Sequence, residues 1–150
     1  MSERPNPIWE TLAKRAEQKT TQMLTALVEE KRKRAQLAQR ERQIEDMRVD
    51  YTRRLLEAER AAHRMSDSVI YRRFLSQVAT LRRALDGAVT DAERSLAAAQ
   101  KRHDEADRER LRMKFLAERE LEKVTRAQKA KDQRDLDAIG IRQFLKQRKS

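Results

Sequence analysis

Two histidines, His63 and His103, and a run of carboxylates, Asp104, Glu105, Asp107 and Glu109, are the residues of this chain best suited to acid–base or metal chemistry. Such chemistry needs groups that converge on one point, within hydrogen-bond reach of a substrate or at ligand distance from an ion. The histidines stand 40 residues apart with no motif around either. The carboxylates alternate with Lys101, Arg102, Arg108 and Arg110. Asp104 and Arg108 stand at i,i+4, as do Glu10 and Lys14, Glu29 and Lys33, and Asp50 and Arg54. Each such pair contributes about 0.2–0.5 kcal/mol to a helix and needs no catalytic role. Two isolated glycines, Gly87 and Gly140, cannot build a phosphate-cradling loop. Without cysteine there is no disulfide framework and no Cys-based zinc site, which fits a reducing compartment. The chain is expected to be a non-enzyme that carries neither metal nor cofactor.

The elements that hold these residues are helical. From Ile8 to Ile139 the sequence has no proline and a single glycine, and it is rich in Ala, Leu, Glu, Gln, Lys and Arg. Charged residues make up 41% and aromatics 4%, too polar for a layered core, so a long helix must lay a narrow apolar seam on another helix. Asn6 suits an N-cap, with Pro7 at the first helical position and Glu10 in the first turn. A seven-residue row then runs Trp9, Ala16, Met23, Glu30, Leu37, Ile44, Tyr51, Ala58, Met65, broken only by Glu30. Its companion positions alternate between Leu12, Ala26, Met47, Ala61 and Lys19, Lys33, Arg40, Arg54. In the segment from His63 to Ser68, the N-cap residues Ser66, Asp67 and Ser68 precede a renewed apolar pattern at Val69, which predicts a short helix–helix connection. The second helix carries Phe74, Val78, Leu81, Leu85, Ala88 and Ala92, and its row Val78, Leu85, Ala92, Ala99, Ala106, Met113 is apolar throughout. Gly87 marks a bend or a close contact, and Gly140 a C-terminal stop.

The predicted fold is all-α, a long antiparallel two-helix coiled-coil hairpin in one domain, with helix 1 over 7–63, a turn over 64–68 and helix 2 over 68–139. Residues 1–6 and 140–150 are expected to be flexible basic ends. At 1.5 Å per residue the helices span about 85 and 108 Å, a rod whose second helix outruns the first by roughly 20 Å. The rival is one continuous helix that dimerises with a second chain. The hairpin predicts a monomer.

Net charge is +11, from 36 Lys and Arg against 25 Asp and Glu, with basic blocks at Lys31–Arg34 and at Arg142, Lys146, Arg148, Lys149. That charge favours an acidic protein groove, an anionic membrane surface or nucleic acid, or serves solubility alone. No run approaches the roughly 18 apolar residues of a membrane span, and the first residues lack the apolar stretch of a signal peptide, which predicts a cytosolic protein. Acids interleave the bases along both helices, and no uninterrupted basic region leads into a zipper, so specific nucleic-acid recognition is not expected. The aromatics are scattered at seam spacing, not set as a stacking platform. Nonspecific phosphate binding by a basic coiled coil stays as the alternative, with a generic structural coiled coil as a third class.

Size, charge and the unequal antiparallel hairpin together resemble the FliJ family of flagellar export proteins and its type III secretion counterparts, the YscO/HrpO family. The segment Ile70-Tyr71-Arg72-Arg73-Phe74-Leu75 at the start of helix 2 is similar to the family's Tyr-x-x-Phe followed by apolar residues at helical spacing. Gln43 and Met47, four residues apart, fit the pattern before the turn, and Tyr51 is offset from it by one position. The resemblance implies a non-enzymatic cytoplasmic stalk at the inner-membrane face, in a flagellar system or a virulence injectisome. Such a stalk inserts its paired ends into the hexameric ring of the secretion ATPase, contacts the cytoplasmic domain of the export gate and can bind export chaperones. The ring-facing candidates it implies are Ile8, Trp9, Leu12, Lys14 and Arg15 on helix 1, with Ile139, Ile141, Arg142, Phe144 and Lys146 on helix 2. Its gate-contact candidates are Gln43, Met47, Phe74, Val78, Leu81 and Leu85, of which the apolar members also suit the intramolecular seam.

Overall fold

A computed structural model describes residues 6–61 and 65–149. They form two helices, α1 (Pro7–Arg60) and α2 (Met65–Lys149), and no strand occurs among the described residues. Asn6 caps α1 as its sequence predicts. Its side-chain oxygen accepts a hydrogen bond from the Ile8 amide at 3.1 Å, and its carbonyl accepts one from the Trp9 amide at 3.2 Å. Proline at the next position forfeits an amide that would have no helical partner anyway.

The boundaries differ from the sequence expectation in three places. Helix α1 ends at Arg60, with the Ala61 amide bonding the Glu57 carbonyl in a last turn, and α2 is already helical at Met65. Ser66 to Ser68 therefore lie inside the first turn of α2, where Asp67 faces the positive end of the helix dipole. His63 and Arg64, expected at the connection, lie outside the described residues. At the far end α2 runs through Gly140 to Lys149, so 140–149 are helical. One glycine costs a helix about 1 kcal/mol, less than the surrounding Ile, Arg, Gln, Phe and Leu and the basic last turn restore.

Each helix turns one narrow stripe inward. On α1 the row Trp9, Ala16, Met23, Glu30, Leu37, Ile44, Tyr51, Ala58 is buried or half-buried throughout, as its spacing predicts. Its companion column is a different one from that expected. It comprises Ala13, Thr20, Leu27, Arg34, Glu41 and Leu55, four residues after members of the row, with exposed Arg48 interrupting it after Ile44; of the expected apolar companions Leu12 is half-buried, whereas Ala26, Met47 and Ala61 are exposed. Positions three and four residues on flank a row almost symmetrically at 3.6 residues per turn, and the side from which the partner approaches chooses between them. On α2 the row Val78, Leu85, Ala92, Ala99, Ala106, Met113 is inward at every step. Its companions are Leu75, Val89, Leu96 and Ala117, with Leu81 and Ala88 exposed.

The contacts divide into two units, Met1–Gln22 with Asp104–Ser150, and Met23–His103. In the second unit α1 and α2 pair antiparallel: partners recede from the turn together, from Glu59 with Arg72 and Tyr51 with Phe74 to Glu45 with Arg82 and Arg34 with Glu93. Leu27, at 3% exposure, is its most buried side chain, joined by Val78, Leu85 and Ala99. In the first unit Ala16 and Ala106 are buried against one another's helices. The Thr20 hydroxyl reaches both the Ala16 carbonyl, at 2.9 Å, and the Ala106 carbonyl across the seam, at 3.1 Å. Only a layer without bulky side chains lets a hydroxyl on one helix reach the backbone of the other. Small seam residues thus produce close backbones with little buried area per layer.

Gly87 is exposed in the middle of α2, and a Cβ added there would meet nothing within 4 Å. No close contact requires it. Gly87→Ala is expected to raise stability by about 1 kcal/mol in urea denaturation; an unchanged or lower midpoint would show instead that this glycine serves a bend.

Candidate functional site

The sequence-derived candidates fall into one group on the first unit and one on the second. In the first unit, Pro7–Gln22 of α1 lies along α2 from Asp104 onward. Trp9 and Ala13 of α1 and Ala117 and Leu121 of α2 line a shallow cleft, edged by Asn6, Glu10, Lys14, Glu17, Glu118 and Glu120. Trp9 and Leu12 are half-buried there, Ile8 is 58% exposed, and Lys14 pairs with Glu10 at 3.6 Å. Arg15 is exposed.

Beyond this level α2 continues without α1. Val124 and Gln128 are the last half-buried residues, and from Lys129 to Lys149 every side chain faces solvent. This stretch is nonetheless rich in large apolar groups: Leu136, Ile139, Ile141, Phe144 and Leu145 are all between 49% and 62% exposed. From Gly140 to Lys149 the only charged residues are Arg142, Lys146, Arg148 and Lys149, all cationic. Hydrogen bonds of Gln128 to Asp132 (3.0 Å) and Gln133 to Asp137 (3.1 Å), each at i,i+4, support the unaccompanied helix from its own surface. Large apolar side chains exposed together on one segment mark it as a candidate interaction surface. The two halves of the ring-facing set are not side by side. Ile8 stands near the level of Leu121, and Ile139 is 18 residues further along α2, about 27 Å at 1.5 Å per residue.

In the second unit, the gate-contact candidates divide between seam and surface. The Phe74 ring stacks on Tyr51, with centroids 5.2 Å apart and planes at 26°. Val78 and Leu85 are buried at 5% and 8% exposure. Gln43, Met47 and Leu81 are exposed and free to meet a partner. Between the helices here runs a groove with Ile44 and Leu85 at its floor and Glu41, Arg42, Glu45, Arg82 and Asp86 on its walls.

Charge is organised around that groove. Arg48 donates to both oxygens of the Glu45 carboxylate through Nε and to Oε1 through Nη2, and this, more than any other influence, holds the Glu45 carboxyl below its usual range; Arg82, 3.1 Å away on α2, acts in the same direction. The same contact raises the Arg48 guanidinium above its usual value. A depressed carboxyl stabilises the fold above its unfolded value and loses that contribution as pH falls through the folded one. Arg34, at a seam position, bonds Glu41 on its own helix at 2.9 Å and Glu93 on α2 at 3.3 Å. Sequence patterning passed over this polar layer, because it looked for apolar companions three residues from the row rather than four.

Among the described residues no group of three or more His, Cys, Asp or Glu could hold a metal ion, and no helix is long and apolar enough to cross a membrane. No curated protein and no solved structure matches the chain. The family described as flagellar FliJ protein matches it over residues 9–149.

Proposed function

Because the chain belongs to the flagellar FliJ protein family, we propose that it is a non-enzymatic stalk and adaptor of a flagellar or type III export apparatus. One end binds the hexameric ring of the export ATPase, and the other couples that ring to the cytoplasmic domain of the export gate. The observation that carries this is the unaccompanied end of α2. Ile139, Ile141 and Phe144, alternating with Arg142 and Lys146, present an apolar and cationic surface around the whole helix. A ring lumen can contact all sides of such a helix at once, whereas a flat partner could cover one face only.

The mechanism is mechanical. A single asymmetric rod in a symmetric ring touches different subunits differently, so its contacts bias them in turn. Ile8, Trp9, Leu12, Lys14 and Arg15 meet the ring lower down, on the level where α1 begins. At the turn-side unit the gate contacts are borne by Gln43, Met47 and Leu81, with Phe74, Val78 and Leu85 shaping the seam beneath them. The protein works as a monomer at the cytoplasmic face of the inner membrane, held there by its partners, and export chaperones are further partners.

The test is ATP hydrolysis by the cognate export ATPase, titrated with this protein. Stimulation is expected to saturate near one hairpin per ring and to vanish when residues 1–15 and 139–150 are deleted. An unaltered hydrolysis rate together with salt-sensitive retention on DNA would replace the stalk by a basic nucleic-acid-binding coiled coil.

A further inference from the structure

One flank of α1, beside the seam, carries a second stripe at coiled-coil spacing. Leu24, Val28, Lys31, Ala35 and Arg42 follow one another at alternating steps of four and three residues, with half-buried Ala38 completing the series. Leu24 and Val28 are 46% and 56% exposed, and Lys31, Arg32, Ala35 and Arg42 are exposed as well. No acid lies on this face between Leu24 and Arg42. The acids of that span are Glu30 and Glu41, both half-buried toward α2, and Glu29 on the flank. Glu30 and Glu41 are engaged by Lys33 and Arg34, so neither offsets the outward cations. In a chain with 25 acids interleaved among its bases, an all-cationic stripe with apolar knobs at seam spacing is a local departure.

We propose that this stripe of α1 is a docking surface for an acidic amphipathic helix of another protein. The heptad spacing of Leu24, Val28 and Ala35 suits knobs from a third helix, and Lys31 and Arg32 suit its carboxylates, while Arg42 lines the groove that also holds Glu41, Glu45 and Asp86. Small Ala35 lets the incoming backbone come close at the centre. A nucleic-acid duplex would leave Leu24 and Val28 without a partner, since phosphates reward cations alone. A lipid surface would find no aromatic and only two large apolar side chains to insert. The surface shares no residue with the proposed ring contact, so the two contacts do not compete for residues.

The full-length protein is titrated with a synthetic stapled helix bearing Leu at heptad positions and Glu on both flanks, followed by fluorescence anisotropy. Saturable binding is expected, weakened at least about tenfold by Val28→Asp and by the pair Lys31→Glu, Arg32→Glu, and weakened by added salt. Arg126→Glu, an exposed change elsewhere, leaves it unaltered, and a helix with Lys in place of Glu does not bind. Absence of saturable binding, or equal affinity of the Val28→Asp and Lys31→Glu, Arg32→Glu variants, overturns the proposal. So does a stripe that ignores the Glu helix and instead retains duplex DNA or phosphatidylserine vesicles in a manner these substitutions abolish. ATPase stimulation by the Val28→Asp variant, measured alongside, separates failure here from failure of the ring contact.

Discussion

Aspartate at both Ile141 and Phe144 is expected to abolish activation of the export ATPase while leaving the thermal midpoint of the hairpin where it was. Both side chains are 61% exposed, so the fold loses little burial when they go. In a ring lumen the same groups lose their contact with water. Covering a Phe and an Ile contributes about 1.5–3 kcal/mol each, and a carboxylate forced into the same place opposes binding. Together the changes weaken ring affinity by roughly three to four powers of ten, at about 1.4 kcal/mol for each. The measurement is hydrolysis rate against hairpin concentration, with circular dichroism melting as the control for fold. A double variant that activates the ring normally would move the contact away from the end of α2. A variant that melts early would show instead that these side chains serve the hairpin.

Leucines three residues apart on α1 give the second large effect, on stability. Leu27→Ala removes a side chain that is 3% exposed and is expected to destabilise the hairpin by about 2–5 kcal/mol. Leu24→Ala removes one that is 46% exposed, and the expected change is within about 0.5 kcal/mol. The seam is thin, most of its layers hold alanine or a charged residue, and few other side chains can compensate for the loss of Leu27. Urea denaturation of the two variants at equal protein concentration decides the matter through the shift in midpoint. Equal shifts would mean that Leu24 is as deeply packed as Leu27, which would turn α1 about its axis. The pair therefore tests the packing register directly.

That register marks the limit of what the sequence discloses. The helices, the antiparallel hairpin and the row from Trp9 to Ala58 are legible, because seven-residue apolar spacing without proline admits little else. Its companion column is not, because Ala26 and Leu27 each flank the row and only the partner's line of approach separates them. Gly140 fits the pattern of a stop, yet α2 passes through it, since a glycine ends a helix only where the chain has a reason to turn. The cationic, apolar composition of the end of α2 is legible from Ile139 to Lys149. Within the gate set, Val78 and Leu85 cannot be told from Leu81 by type: all are aliphatic, and a rotation of about 60° decides which of them reaches solvent. The stripe from Leu24 to Arg42 was hidden for a related reason, because Lys31 occupies one of its knob positions and interrupts the apolar pattern.

The Tyr51–Phe74 stack and the Thr20–Ala106 hydrogen bond join residues 23 and 86 positions apart. Closing the longer loop first would cost about 1 kcal/mol more in chain entropy than closing the shorter one. Folding is therefore expected to start at the aromatic pair beside the turn and to zip away from it, layer by layer, with the Thr20 layer among the last to form. In unfolding the order reverses, and among the paired residues hydrogen exchange should be fastest around Trp9 and Leu121 and slowest around Phe74. The paired segment around Trp9 and Leu121 is then the part of the hairpin with the least time in its native pairing and the least resistance to leaving it. A newly made chain can hold its turn-side surface ready while its ring-side surface is still assembling.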